Sequence, residues 1–325
     1  MTKRTTPQFM ENGEAVKNSV AIVEKVKIND LEQGLLIRGK NADNPILLIL
    51  HGGPGAPHIG YTRHYQKKLE ENFIVVNWDQ RGSGMSYYKD IPKETMNLEQ
   101  FIADALEVTK YLLNKFSKKK LVLMGYSWGS ILGMNLIKRY PQYFEMYFGM
   151  SQVVDTEKST KLIYKKIIEM AETNEDLKEK IKNINISDLF KARTGLQEIA
   201  FGLGGMHTDL NLAPKLISIC STSGEYNEED LKILDECMAF SGKCLFNEIG
   251  KVNLMQQILN VEIPVCFLMG AKDLVTSPET AKEYFEKIKA PKKEFIMFEN
   301  SAHDIIFAEN EKWQDTVIEI YKKMC

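Results

Sequence analysis

Ser127, Asp273 and His303 are the residues on which this sequence could do covalent chemistry. A serine hydroxyl is a poor nucleophile at neutral pH, so it needs a base to take its proton. That base in turn needs an acceptor that fixes its tautomer and steadies the imidazolium. The three residues occur in the chain order serine, acid, histidine, and each follows a short apolar run. If those runs are strands of one parallel sheet, all three side chains arrive at the same edge. The chemistry would be acyl transfer, with attack on a carbonyl followed by hydrolysis of an acyl-enzyme.

Ser127 stands in Gly125-Tyr126-Ser127-Trp128-Gly129, between an apolar run beginning at Leu121 and a helical pattern through Ile131, Leu132, Leu136 and Ile137. This fits the nucleophile elbow, G-x-S-x-G: a sharp strand-to-helix turn holds the hydroxyl clear of the sheet, and side chains at 125 and 129 would collide with nearby backbone. The N–H of Trp128, at the helix start, can face an anion and would supply half of an oxyanion hole. The other half is expected from Gly53, in the loop His51-Gly52-Gly53-Pro54-Gly55 that ends the apolar run 45–50. His51 is expected to brace that loop, and Asp79 and Arg81 to pair with backbone and with each other. Asp155 is the reserve acid, and His58, His64 and His207 fit the base less well.

The elements that must position these residues alternate in type. An opening hairpin is read over 20–26 and 35–38, around Asn29-Asp30. Further strands are read over 45–50, 73–78, 145–154, 263–269 and 295–298, besides the one before Ser127. Helices are read over 61–70, 98–116 with Asn97 as N-cap, after Ser127 up to Pro141, then 278–289 and 311–324. Such alternation implies a parallel sheet with right-handed crossovers. From about 155 to 260 no strand pair is evident, only helical stretches at 160–171, 175–184, 186–193 and 227–238. The expected architecture is therefore α/β, a mostly parallel sheet of about eight strands with helices on both faces. Its core would be 1–154 and 260–325, with a helical cap, 155–259, inserted after the sixth strand. The glycine-rich segment 201–207 could line a pocket.

The chain has 325 residues and a formal charge of -2, with both signs mixed along it, which leaves no electrostatic footprint for nucleic acid or an anionic membrane. Five cysteines (Cys220, Cys237, Cys244, Cys266, Cys325) show no metal-ligand spacing, so reduced thiols and no metal are expected. With a polar start and no long apolar run, a cytoplasmic protein is the expectation.

The motifs at 51–55, 79–84 (Asp-Gln-Arg-Gly-Ser-Gly), 125–130, 270–273 (Gly-x-x-Asp) and 301–303 (Ser-Ala-His) resemble those of the proline iminopeptidase branch of the α/β-hydrolases. The resemblance covers roughly 20–154 and 260–325. It implies a metal-free, cofactor-free serine peptidase that removes an N-terminal residue, typically proline, from short peptides. Ser127, Asp273 and His303 would be its triad, and Gly53 and Trp128 its oxyanion donors. Members of this branch hold the substrate ammonium with cap glutamates in a tryptophan-rich segment. Here no Trp lies between Trp128 and Trp313, and the candidates are Glu225 beside Tyr226, and Glu248. Two other readings use the same residues: a carboxylesterase, lipase-like hydrolase or lactonase of small acyl esters, and a ligand-sensing protein that keeps the fold.

Overall fold

The computed structural model describes residues 3–325. Eight strands form one sheet: β1 Val20–Ile28, β2 Leu31–Gly39, β3 Ile46–Leu50, β4 Ile74–Asp79, β5 Leu121–Tyr126, β6 Phe144–Met150, β7 Val265–Gly270 and β8 Lys293–Phe298. Their spatial order is β8-β7-β6-β5-β3-β4-β2-β1. β2 runs antiparallel to both β1 and β4, and the remaining neighbours are parallel.

The apolar runs become strands because successive residues serve opposite faces, and both faces here are dry. Leu48, Leu50 and Leu123 pack with Phe101 and Leu112 of the helix Leu98–Lys115 and with Ile131 of the helix Trp128–Arg139. Leu47, Ile49 and Val122 face the other way, onto Leu69, Trp313 and Val317. Asn97 caps the helix it precedes, its side chain accepting from the N–H of Gln100 at 2.9 Å.

Several boundaries differ from the sequence reading. β1 and β2 are longer than expected, because Asn29 takes φ 53° and lets two residues close the hairpin. The sixth strand stops at Met150 rather than running to 154, where Ser151 turns to φ 45°. A small hairpin, Met10–Glu11 with Glu14–Ala15, was not anticipated.

Between β6 and β7 the chain is helical: Thr156–Ala171, Glu175–Lys182, Leu189–Gly202, Leu212–Ser223, Glu228–Lys232, Leu234–Gly250 and Leu254–Gln257. Asp155, Asn174, Asp188, Asn227 and Asn253 each start one of these by accepting a backbone N–H. The stretch read as 186–193 begins at Leu189 and continues to Gly202. The stretch 227–238 is two helices parted at Ile233, and Leu212–Ser223 was not foreseen.

The N-terminal arm ties this segment to the sheet. Arg4 pairs in bidentate fashion with Asp230 (2.6 and 2.8 Å), and the N–H of Thr5 donates to the carbonyl of Gly224. The hydroxyl of Thr6 donates to Glu225 while accepting from Arg38 of β2. Among the described residues, no helix is long and apolar enough to cross a membrane.

Candidate active site

β5, β7 and β8 end at one edge of the sheet, and each delivers one of the three expected residues. Ser127 follows β5 with φ 52° and ψ −118°, a conformation unfavourable for a residue with a Cβ, and the helix begins at the next residue, Trp128. The turn is this tight because Gly129 sits against β3: a Cβ there would lie 2.1 Å from the carbonyl oxygen of Leu50. The backbone N–H of Ser127 donates to Met150, which anchors the turn to β6.

Asp273, three residues past β7, is fully buried, and its Oδ2 lies 2.8 Å from Nδ1 of His303. Its other donors are the backbone N–H groups of Val275 and Thr276 and the Thr276 hydroxyl. A carboxylate partner makes Nδ1 the protonated nitrogen, an assignment that follows from the hydrogen-bond network. The His303 backbone is pinned as well, its carbonyl accepting from the Tyr126 hydroxyl at 2.8 Å. Ser127 and His303 line one cavity of about 390 Å³ together with Gly52, Gly53 and Trp128.

Gln80 joins the two loops expected to make the oxyanion hole. Its amide donates to the His51 carbonyl and accepts from the Trp128 indole N–H at 3.0 Å, while its backbone N–H reaches the His51 ring. His51 therefore has a bracing position. Asp79 and Arg81 do not line the cavity, and contrary to expectation they are held by other partners rather than by each other. Arg81 is buried against Asp104 (2.7 Å) and reaches Asp30. Asp79 takes hydrogen bonds from Tyr226 and from Met85 N–H, and burial pushes its pKa up to about 8. Asp155 caps its helix and bonds Asn253, and no hydrogen bond joins it to His303 among the described residues.

The structure brings none of Glu225, Tyr226 and Glu248 to the wall of this cavity. Glu225 is buried in an ion pair with Arg63 (2.7 Å), the Tyr226 hydroxyl is committed to Asp79, and Glu248 accepts the N–H of Leu98 at a helix start. Their partners lie far off in sequence, which is why spacing alone could not reveal them.

The helical segment covers the cavity with Arg193, Gln197, Met206, His207, Met238 and Phe246. It also touches the loops that carry the acid and the base. The N–H of Leu274 donates to the Gly205 carbonyl at 2.9 Å, and Asp304 accepts from the N–H (2.7 Å) and hydroxyl (3.0 Å) of Thr208. Gly205 must be glycine for this approach, since a Cβ would meet Leu274 at 2.5 Å. His207 lines the cavity, and its pKa is lowered, mainly by burial. Sequence reasoning missed Gln80, Thr276 and Arg193. Gln80 was adjacent to residues read as structural, and a lone arginine in a helix carries no signal.

Comparison with known proteins agrees with this architecture. The family model for serine aminopeptidases of the S33 family matches residues 42–311. A Bacillus subtilis protein named "Probable aminopeptidase YbaC" is 36% identical over 297 residues, 88% of this chain and 92% of that one. A proline iminopeptidase of Saccharolobus solfataricus is 25% identical over 295 residues, 87% and 86% of the two chains. Among solved structures, a proline iminopeptidase-related protein from Thermus thermophilus superposes with a TM-score of 0.66 at 18% identity, covering 94% of this chain and 98% of that one. The chain belongs to the S33 serine aminopeptidase family, within the α/β-hydrolases.

Proposed function

We propose that this protein is a serine hydrolase working through an acyl-enzyme on Ser127, and that it releases the N-terminal residue, proline or a similar one, from short peptides. The observation that carries the reading is the 2.8 Å bond from His303 Nδ1 to buried Asp273, beside a serine held at positive φ in the same cavity. With Nδ1 tied to the carboxylate, Nε2 is the free base of the ring; it takes the serine proton as the hydroxyl attacks and returns it to the leaving group. Developing negative charge on the carbonyl oxygen is met by backbone N–H groups. That of Trp128 is the first in its helix, where no intrahelical acceptor exists, and that of Gly53 comes from the facing loop. The names of the relatives support amide cleavage at an N-terminus.

A second reading, hydrolysis of small carboxylic esters, is favoured by the cavity wall, which among the described residues contains no Asp or Glu to receive a substrate ammonium. The test has two parts. A fluorophosphonate should label the wild type and not Ser127→Ala, which should lose turnover by at least about 10⁴-fold. Rates on prolyl, alanyl and leucyl arylamides are then set beside short-chain aryl esters. Ester turnover alone would remove the peptidase reading, and an unlabelled, folded wild type would remove both.

A further inference from the structure

Arg193, on the helix Leu189–Gly202, borders the cavity that holds Ser127 and His303. Among the described residues it forms no ion pair, and its buried Nη1 has no hydrogen-bond partner. Its guanidinium stacks 5.1 Å from the ring centroid of Phe246. Burial lowers its pKa to about 10, with no charged neighbour contributing. The other inward-facing arginines are treated differently: Arg81 is paired with Asp104 and Arg38 with Glu70.

A guanidinium N–H withdrawn from water is costly unless it is paired, so the dry, unpaired Nη1 is either a defect or half of a pair completed by a ligand. The surroundings favour the second. Among the described residues no Asp or Glu lines the cavity to compete for the charge, while Gln197 offers a neutral polar group on the same wall. Glu157 borders a smaller neighbouring cavity that Arg193 also lines, and its carboxylate is committed to Lys161 at 2.6 Å. The planar fork of a guanidinium matches a carboxylate with two parallel hydrogen bonds.

We propose that Arg193 is a specificity-determining residue that binds a carboxylate carried by the substrate. This deepens the acyl-transfer reading and rests on it. The carboxylate has two chemical sources. It belongs to the leaving group when the substrate is a very short peptide with a free C-terminus, and to the acyl group when the substrate is a half-ester of a dicarboxylic acid.

The test compares matched pairs on the full-length protein: alanyl-alanine against alanyl-alaninamide, and mono-p-nitrophenyl glutarate against p-nitrophenyl butyrate. In one pair the carboxylate should raise kcat/KM by about 10- to 100-fold, mostly through KM. Arg193→Gln should erase that preference, and Arg193→Lys, which keeps the charge without the fork, should keep part of it. Fluorophosphonate labelling of Ser127 in each variant reports folding and a reactive nucleophile. A labelled wild type with no carboxylate preference in either pair overturns the proposal, as does a preference that survives in Arg193→Gln. If Ser127 does not label, the acyl-transfer reading falls by itself. Calorimetric binding of N-acetylalanine against N-acetylalaninamide to Ser127→Ala protein then decides the role of Arg193 without turnover. Tighter binding of the acid that disappears with Arg193→Gln upholds it, and equal binding refutes it.

Discussion

His51 and Gln80 hold each other twice: the backbone N–H of Gln80 donates to Nε2 of His51 at 3.1 Å, and the Gln80 amide donates to the His51 carbonyl at 2.9 Å. An N–H can only donate, so Nε2 is the unprotonated nitrogen, and Nδ1 carries the hydrogen toward the Gly52 carbonyl at 2.8 Å. The imidazole is a neutral brace between two loops.

That brace sets a pH dependence. Burial drops the His51 pKa from 6.5 to about 4, so the unfolded chain takes up the proton first as pH falls. The contribution to stability is complete above the unfolded value and is lost between about pH 6.5 and pH 4, amounting to about 3 kcal/mol. Urea unfolding of wild type and His51→Gln at pH 7 and pH 4.5 should show a smaller acid loss in the variant. Parallel losses would assign the acid sensitivity to other groups.

Ser127 stores strain in its backbone, and two variants that both lack the hydroxyl separate that strain from chemistry. Alanine keeps the Cβ and the cost of φ 52°, whereas glycine adopts this region freely. Ser127→Gly should be the more stable of the two by about 1 kcal/mol, although glycine is ordinarily the destabilising choice. Thermal unfolding in which the alanine variant is the more stable would show that the turn is unstrained.

Gly129→Ala should fail for a steric reason. In an open helix alanine is preferred over glycine by about 1 kcal/mol. At this position the added methyl meets the Leu50 carbonyl at 2.1 Å, and backbone cannot yield as a side chain can, so a loss exceeding about 1–3 kcal/mol is expected. Gly242 is also helical, but a methyl added there would have nothing within 4 Å; it is the control and should gain stability on the same change. Equal effects at both sites would contradict the packing of the elbow against β3.

Asp304 couples the covering helices to the residue beside it, His303. Asp304→Ala leaves the N–H groups of Ala302 and Thr208 without their acceptor, at about 1–3 kcal/mol for each that stays dry. Thr208→Val removes a single hydroxyl bond and should cost about 1 kcal/mol. Both should lower kcat in the same order as they lower Tm. A fall in Tm with kcat untouched would mean that this attachment steadies the fold without steering the histidine.

Much of this was legible from residue order. The central strands of the sheet are short apolar runs, and the elbow is fixed by five consecutive residues, so local patterns sufficed for both. The juxtaposition of Asp273 and His303 was legible because each follows a strand, although 30 positions separate them. The amine-binding candidates lie away from the cavity wall, for the opposite reason. Glu225 is taken up by Arg63 and Thr6, 162 and 219 positions away, and no local pattern announces such partners. The helices over the cavity were mistaken in extent because their limits are set by caps such as Asp188 and by the left-handed Gly224 after Leu212–Ser223.

The covering helices are joined covalently to the sheet only near Asp155 and Asn253, which lie side by side in an isolated bridge. A flap hung on one such line would swing freely. This one is stitched down at many further points, among them Gly205 to Leu274, Thr208 to Asp304, Glu225 to Arg63, Tyr226 to Asp79, and the arm Arg4–Thr6 to Gly224, Glu225 and Asp230. The arm belongs to neither the flap nor the sheet, so it works as a latch. Replacing Arg4 is therefore expected to loosen the covering helices at Asp230, far along the chain from the position changed.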